Sequence, residues 1–408
     1  MNRYIKLLAL MGVLAAGLFA LAGCSDKKDE PTPGPDPVEP VNTTVLVYMA
    51  ASNSLGVQLN DSMDIKEMQR AARAGHLNGG RLLIYHAGYK TAQTLSEITA
   101  DGKIRLIKEY GADGLTSVHA ARMKQVLSDA RAEAPSRNFG LVLWSHGDGW
   151  LQNGIDDKTL PGLDQAPEDG AAVLDVPSVA GWGMENSRKM KVSTLARTLE
   201  QSQPIDFVYF DCCYMASVEV AYEMRRATPV IVGSVIELPA EGMPYHKTLQ
   251  HLFRTSWPDL EGAARETFSH FDAMFGEDRT CSMSVINTAA MRDLADVTRR
   301  VYERCNVYRP LTYEPQAFMT SGNCSFYDFA DYVRALCDEC APELREEWDE
   351  AYAAAIPYFD TTPYLWSRVS LSRNNGLSTY IMSKSNNGFD RQYDTLEWYK
   401  DVASHFAI

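Results

Sequence analysis

Positive charge is scarce in this sequence. Lys and Arg number 39 against 53 Asp and Glu, a formal charge of −14 over 408 residues. Phosphate binding needs a basic face, so nucleic acid is excluded as a partner. The acidic excess itself implies solubility. The N-terminal apolar run, Leu7 to Ala20, is short of the roughly 20 residues that a membrane-spanning helix needs. No internal repeat is visible, and beyond the N-terminus nothing in the composition implies disorder. Hydrophobic residues at 45% suffice for a buried core, and the length admits one large domain or two to three ordinary ones.

What is present begins with an export pattern. Arg3 and Lys6 precede the apolar run, and Leu21-Ala22-Gly23-Cys24 resembles the bacterial lipobox, in which cleavage precedes a cysteine that is then acylated. Residues 1–23 are thus expected to be a lipoprotein signal peptide, with Cys24 the lipidated residue and the membrane a partner through it. Acyl chains contribute about 0.8 kcal/mol per buried CH₂, so a multiply acylated end stays in the bilayer. Residues 24–43 contain five prolines between positions 31 and 40 and read as an extended tether. The expected location is the cell envelope, at the outer membrane or cell surface.

From Val45 onward strands and helices alternate. VLVYM (45–49), RLLIYH (81–86), NFGLVLW (138–144), IDFVYF (205–210) and VIVGS (230–234) are apolar runs of the kind buried on both faces of a parallel sheet. TLSEI and KIRLI flank Asp101-Gly102 as a hairpin. Ser54 is positioned to cap a helix carrying Leu55, Leu59 and Met63 on one side, and Ser117 to Ala132 forms another helix. Residues 151–190 read as a long loop. Beyond about 255 helices dominate, at 258–275, 326–340, 343–356 and 391–405. Among them lie a strand (CSMSVI, 281–286) and a pair, VSLSR and GLSTYI, around Asn374-Asn375-Gly376. The expectation is an α/β chain with a mostly parallel sheet and helices on both faces. The α/β domain spans 44–255, and a helix-rich region, 256–408, packs on it.

Two segments place reactive side chains at the ends of buried strands. LVLWSHGDGW sets His146 and Gly147 after one run, and FVYFDCCYMASVEVAYEM sets Asp211, Cys212 and Cys213 after another. Functional groups of open α/β sheets gather at the carboxyl edge of the strands. A cysteine opening a helix sits near the positive helix terminus, which favours the thiolate, and an imidazole can protonate a leaving amine. The N–H groups of Gly147 and Cys213 are candidates for an oxyanion hole. From the residues alone a structural cysteine and a core histidine stand as the alternative. Cys337 and Cys340 form a C-x-x-C that closes a helical pattern, which favours packing or a disulfide over metal or redox chemistry. His86 and His246 read as structural or exposed, and Tyr393, Trp398 and Tyr399 as core.

Together these blocks resemble the clostripain family of cysteine peptidases, within the clan of caspases, gingipains and legumain. VLVYMAASNSL resembles that family's first strand and helix, LVLWSHGDGW its histidine block and FDCCYMASVEVAYEM its cysteine block. GSVIELPAEGMPYHKTL resembles its pocket segment and GLSTYIM its late strand. The resemblance implies a three-layer α/β/α caspase-like fold, with Cys213 as nucleophile and His146 as its proton-transfer partner. It also implies Asp211 as the acid that recognises a basic P1 side chain. The substrates implied are proteins or peptides cut after Arg or Lys. Glu237 and Glu241 are candidates to add to the S1 pocket, although a solvated loop is the simpler reading for both; for Asp211 the alternative is a helix cap near Tyr214.

The sequence departs from the family in three places. Cys212 stands where the family has alanine, and Met243-Pro244 where it has a tryptophan. Ala50-Ala51-Ser52 replace residues that tend to be acidic, so calcium, the one cofactor the resemblance raises, loses its expected ligands. Arg188, Lys189 and Lys191 form a basic patch that suits self-cleavage by an Arg/Lys-specific enzyme, or simply an exposed helix entry. Two further readings compete with an active endopeptidase: an inactive relative that binds peptides or protein partners at the surface, and a binding module of a nutrient-uptake system.

Overall fold

The structure is a computed structural model, and it describes residues 40–151, 181–185, 188–305, 313–318, 326–382 and 388–404. The expected signal peptide, Cys24, the expected tether up to residue 39, Cys324 and most of the loop expected at 151–190 lie outside the described residues, while residues 41–43, expected to belong to the tether, open the first strand.

The first half builds the centre of a sheet. Its strands are β1 (Val41–Ala51), β2 (Arg81–Gly88), β3 (Gln93–Ile98), β4 (Ile104–Tyr110) and β5 (Ser136–Trp144). A short hairpin follows, β6 (Trp182–Glu185) and β7 (Arg188–Met190), then β8 (Phe207–Asp211), β9 (Val230–Gly233) and β10 (Ser282–Asn287). After the two-residue β11 (Tyr327–Asp328) comes β12 (Tyr358–Thr361). Nine of these form one sheet in the order β12-β10-β9-β8-β5-β1-β2-β3-β4. The five central strands are parallel, and antiparallel partners close both edges.

The apolar runs behave as strands buried on both faces require. Along β1, Leu46, Tyr48 and Ala50 enter one core while Val45, Val47, Met49 and Ala51 enter the other, and all are fully buried. One face is covered by α2 (Asn60–Arg73), which follows the four-residue α1 (Ser54–Val57). The other carries α3 (Ala120–Glu133), α4 (Val192–Glu200) and α5 (Val218–Met224). Then α6 (Tyr245–Leu252) and α7 (Leu260–Asp272) join α2. The last helices, α8 (Met291–Cys305), α9 (Phe329–Cys340) and α10 (Arg345–Ala355), join α3 to α5. This is the three-layer α/β/α arrangement, with β10 and β12 from the C-terminal region continuing the same sheet.

Several local expectations change. The cap of the first helix is Asn53, whose Oδ1 accepts from Leu55 N. The helix then breaks, because Leu59 adopts a left-handed φ of 65°, and Leu59 and Met63 face solvent. The helix expected from Ser117 starts at Ala120, capped by His119. The stretch before 190 is not all loop, since β6 and β7 pair there. VSLSR and GLSTYI do not pair with each other. Val369–Ser370 pairs with Tyr364–Leu365, and Ser378–Thr379 pairs with β11. The helix expected at 391–405 divides into Gly388–Tyr393 and a π-helical turn, Tyr399–Ala403. The C-x-x-C is split: Cys340 is disulfide-bonded to Cys305, and Cys337 is free and buried.

Candidate active site

Sheet order fixes the site. From β1 the chain moves to β2 on one side, while β5, β8 and β9 lie on the other, so the connections diverge at the β1–β5 boundary. Crevices of open α/β sheets form at such a switch point. Trp144, the last residue of β5, is in register with Asp211, the last of β8. The next residues, Ser145-His146 and Cys212-Cys213, therefore leave adjacent parallel strands side by side. They border a cavity of about 390 Å³ whose walls include His146, Gly147, Asp211, Cys213, Leu238 and Trp366.

Burial separates the two cysteines. Cys212 is 4% exposed and packed in the core, and burial pushes its thiol well above the ordinary range. Cys213 is half-buried and faces the cavity, and its sulfur accepts from Leu238 N at 3.4 Å. Desolvation pushes its thiol up to about 12, against the opposing pull of that N–H. Burial lowers the pKa of His146, and the Lys189 ammonium lowers it further. Both shifts favour the neutral forms, a thiol and an uncharged imidazole, over an ion pair.

The expected helix-terminus effect on Cys213 does not apply. The helix after β8 starts at Val218, where Ser217 accepts from Val220 N, and Tyr214 sits between at a left-handed φ of 61°. This also removes helix capping as the role of Asp211. Its carboxylate instead accepts from Met243 N at 2.8 Å and from the Tyr245 hydroxyl at 2.9 Å, holding the loop that follows β9. Gly242, at φ 63°, lets that loop pass: a Cβ there would lie 2.8 Å from Asp211 Oδ1. Asp211 is 5% exposed, and burial raises its pKa to about 6. Beneath it lies an acid with no signal in the sequence pattern. Asp64 of α2 accepts from Trp144 Nε1 at 2.6 Å, and burial, then Asp211, pushes its pKa to about 9.

Gly147 is required by close approach, since a side chain would collide with the Cys213 carbonyl. It bridges Trp182, with flanking bonds from Asp148 N to Gly181 O and from Gly183 N to His146 O. In that pattern the Gly147 N–H points away from the hairpin.

The remaining candidates divide. Glu237 borders the cavity, but its two oxygens accept from Tyr214 Oη and Trp366 Nε1, at 3.1 and 2.7 Å, so it supports a wall. Glu241 is exposed and does not line the cavity, because its loop turns it outward. Arg188 is exposed and Lys191 half-buried, whereas Lys189 is 4% exposed and ion-paired with Asp148. Lys189 is therefore no exposed cleavage point, since a protease would have to peel β7 from β6 to reach it. Ala50 and Ala51 are fully buried and offer no side-chain oxygen to a calcium ion, so of the three residues in that stretch only Ser52 carries one. Among the described residues no three His, Cys, Asp or Glu side chains converge to hold a metal ion, and no helix is long and apolar enough to cross a membrane. His86 pairs with Asp61 and His246 with Glu67. Sequence reading missed Trp366, from a left-handed turn far along the chain, and took Ser54 for a cap; its Oγ lies 2.8 Å from His146 Nε2.

A caspase-like α/β/α sheet with cysteine and histidine leaving adjacent parallel strands is the plan of a cysteine protease. The clostripain family model matches residues 47–336, and the chain belongs to that family of cysteine proteases. No curated protein shows significant similarity to it. Among solved structures it is similar to an inactive zymogen C11 protease from Parabacteroides distasonis, at 28% identity and a TM-score of 0.72. That match covers 89% of this chain and 98% of the other. It is also similar to a secreted C11 cysteine protease from Bacteroides thetaiotaomicron in complex with an irreversible peptide inhibitor. Here identity is 25% and the TM-score 0.73, over 89% of this chain and 99% of the other.

Proposed function

We propose that the chain is an endopeptidase that cleaves after Arg or Lys, with Cys213 as nucleophile and His146 as general acid and base. The observation that carries this is one cavity bordered by Cys213 and His146 with the buried carboxyl of Asp211 in its wall. The Cys213 thiol gives its proton to His146, and the sulfur adds to the scissile carbonyl carbon. The oxyanion takes hydrogen bonds from the Gly147 and Cys213 N–H groups. The imidazolium then protonates the leaving amine as the C–N bond breaks, leaving a thioester on Cys213. Water, deprotonated by His146, adds to that carbonyl, and collapse releases the acid and restores the thiol.

A guanidinium or ammonium entering the cavity meets a carboxyl that is poorly solvated, in a pocket that the Trp366 indole also lines, and the ion pair with that carboxyl is the recognition contact. Asp211 is the direct partner, and Glu237 acts by holding Trp366.

We assign the protein to the cell envelope, anchored through acylated Cys24. The Cys305–Cys340 disulfide supports an oxidising compartment. Metabolic labelling with an alkynyl fatty acid, lost in Cys24→Ala, is the outcome expected.

The function is tested by incubating residues 25–408 with Arg-, Lys- and Ala-ended fluorogenic peptides, beside Cys213→Ala, His146→Ala and Cys212→Ala. Turnover after Arg and Lys is expected, abolished by the first two changes and kept within a few-fold by the third. Turnover that survives Cys213→Ala would sink the mechanism. Tight peptide binding without turnover would establish the inactive, peptide-binding reading instead.

A further inference from the structure

We propose that Ser54 is the positioning residue for His146, holding its imidazole by a hydrogen bond at Nε2 so that Nδ1 is left for proton transfer. This rests on His146 being the proton-transfer group assigned above. A general base needs a third group to fix its ring and tautomer. Among the described residues no carboxylate is hydrogen-bonded to the ring, and the charged groups bearing on it are Lys189, from β7, and Asp148, from its own segment. Ser54 Oγ lies 2.8 Å from Nε2. A hydroxyl oxygen accepts from Nε2–H whether the ring is neutral or protonated, so the bond persists while Nδ1 gains and loses its proton.

The position of Ser54 is built rather than incidental. Asn53, 8% exposed, shares its side-chain N–H groups among Ala50 O, Ser145 Oγ and Met184 O, at 2.7, 3.2 and 3.0 Å. One side chain thereby ties together the end of β1, the residue before His146 and the β6–β7 hairpin. Its oxygen starts α1 by accepting from Leu55 N at 2.9 Å. Ser145 Oγ in turn donates to Ala50 O at 2.7 Å and accepts from Met184 N at 3.1 Å. Gly56 presses α1 back onto β1, where a Cβ would run into the Ala51 carbonyl. Ser54, though exposed, is thus held from both ends of a one-turn helix, within hydrogen-bond reach of the ring edge at Nε2. The sheet order explains why: β1 and β5 are neighbours, so the segments leaving them meet at the switch point.

A structural role for Ser54 predicts a loss of stability, whereas a positioning role predicts a change in the titration of His146. The test uses the full chain carrying Ser54→Ala, Ser54→Thr and Ser54→Asp, with kcat, KM and the pH profile of kcat/KM on an Arg-ended peptide. Ser54→Ala is expected to lower kcat about tenfold to a hundredfold with KM and Tm little changed. Ser54→Thr, which keeps the hydroxyl, is expected to recover most of that loss. Ser54→Asp places a carboxylate against Nε2, favours the imidazolium, and moves the acid limb of kcat/KM to higher pH by about one unit or more. The same shift is read without turnover, by NMR titration of ¹⁵N-labelled His146 in a Cys213→Ala background. Wild-type kcat in Ser54→Ala, or a His146 titration unmoved by Ser54→Asp, would overturn the inference. So would a loss in Ser54→Ala that follows Tm and is not recovered by Thr. His146→Ala separates the two readings: full turnover there removes the mechanism itself, while an inactive His146→Ala beside an unaffected Ser54→Ala removes Ser54 alone.

Discussion

Trp366 donates its indole N–H to Glu237 across 2.7 Å, and this one bond ties a turn from late in the chain to the wall of the cavity beside Cys213. Trp366 and Ser367 both adopt left-handed φ, at 48° and 53°, a conformation that costs free energy in non-glycine residues and persists only where neighbours hold it. Met243 is buried in the opposite core and does not line the cavity, whereas the indole of Trp366 does. Trp366→Ala is expected to raise KM for Arg-ended peptides about tenfold while kcat changes less, and Trp366→Phe to raise it less. Glu237→Gln keeps an acceptor for the indole and is expected to have a small effect. Equal loss of kcat and KM selectivity on Ala-ended peptides would show that the ring serves packing and not recognition.

The proposed pairing of Asp211 with a basic P1 side chain predicts a pH dependence confined to basic substrates. Burial raises its pKa from 3.8 to about 6. Above that value it is a carboxylate ready to pair with a P1 cation, and below it the group is neutral. Selectivity for Arg over Ala is therefore expected to fall as pH drops through about 6, visible as the ratio of kcat/KM values across pH 4.5–8. Asp211→Asn should flatten that ratio. The linkage to stability has the opposite sign from a salt-bridged acid: the folded state binds the proton more tightly than the unfolded one. Asp211 thus lowers stability as pH rises from about 4 to 6. A thermal melt series in which Asp211→Asn removes part of that decline checks the sign.

The Lys189–Asp148 pair is a third point of control. Lys189 is almost wholly buried and Asp148 about one-third exposed. Removing the acid strands a buried ammonium, whereas removing the lysine leaves an acid that water still reaches. Asp148→Asn is expected to cost about 2–3 kcal/mol, less than a fully buried pair because of that exposure, and Lys189→Met clearly less. Lys189 also holds the pKa of His146 down. Lys189→Met is therefore expected to raise it and shift the acid limb of kcat/KM upward, even where stability hardly changes. A pH profile unmoved by Lys189→Met would disconnect the pair from the site.

Which of these features the sequence could reveal depended on how local their cause is. The five parallel strands were legible because each is a continuous apolar run, and burial on both faces dictates that composition. His146 and Cys213 were legible for a related reason: each follows such a run directly, so the strand itself delivers it to the rim. Ser54 was read as a cap because its hydroxyl precedes a helical pattern, yet the neighbouring Asn53 caps the turn and frees Ser54 for a partner 92 residues away. The break at Leu59 left no mark, since the apolar spacing continues across it. β12 was missed because YFDT does not alternate cleanly, and its pairing with β10 is a long-range choice. The late strands were joined wrongly for the same reason: two-residue strands carry no register of their own, and an Asn-Gly turn between them suggested a hairpin. Trp366, Asp64 and the Lys189–Asp148 pair reach the site through topology, which periodicity does not encode.

The Cys305–Cys340 disulfide closes a loop with a sequence separation of 35 and staples the end of α8 to the end of α9. Closing such a loop restricts the unfolded chain, which by loop entropy stabilises the fold by about 3–4 kcal/mol. Cys340→Ser is expected to lower the melting temperature by several degrees, and dithiothreitol to do the same to the parent protein but not further to the variant. The reductant is expected to act in the other direction on turnover, because the nucleophile proposed here, Cys213, must be a free thiol to attack. Mild reduction is therefore expected to preserve or raise activity at 25 °C while shortening the half-life at elevated temperature. Cys337 lies three residues from Cys340 and is buried, with burial pushing its thiol up to about 11, so it is a poor competitor for the bridge. Mass spectrometry of the alkylated, unreduced protein checks the pairing: a peptide pair joined through Cys305 and Cys337 would contradict it.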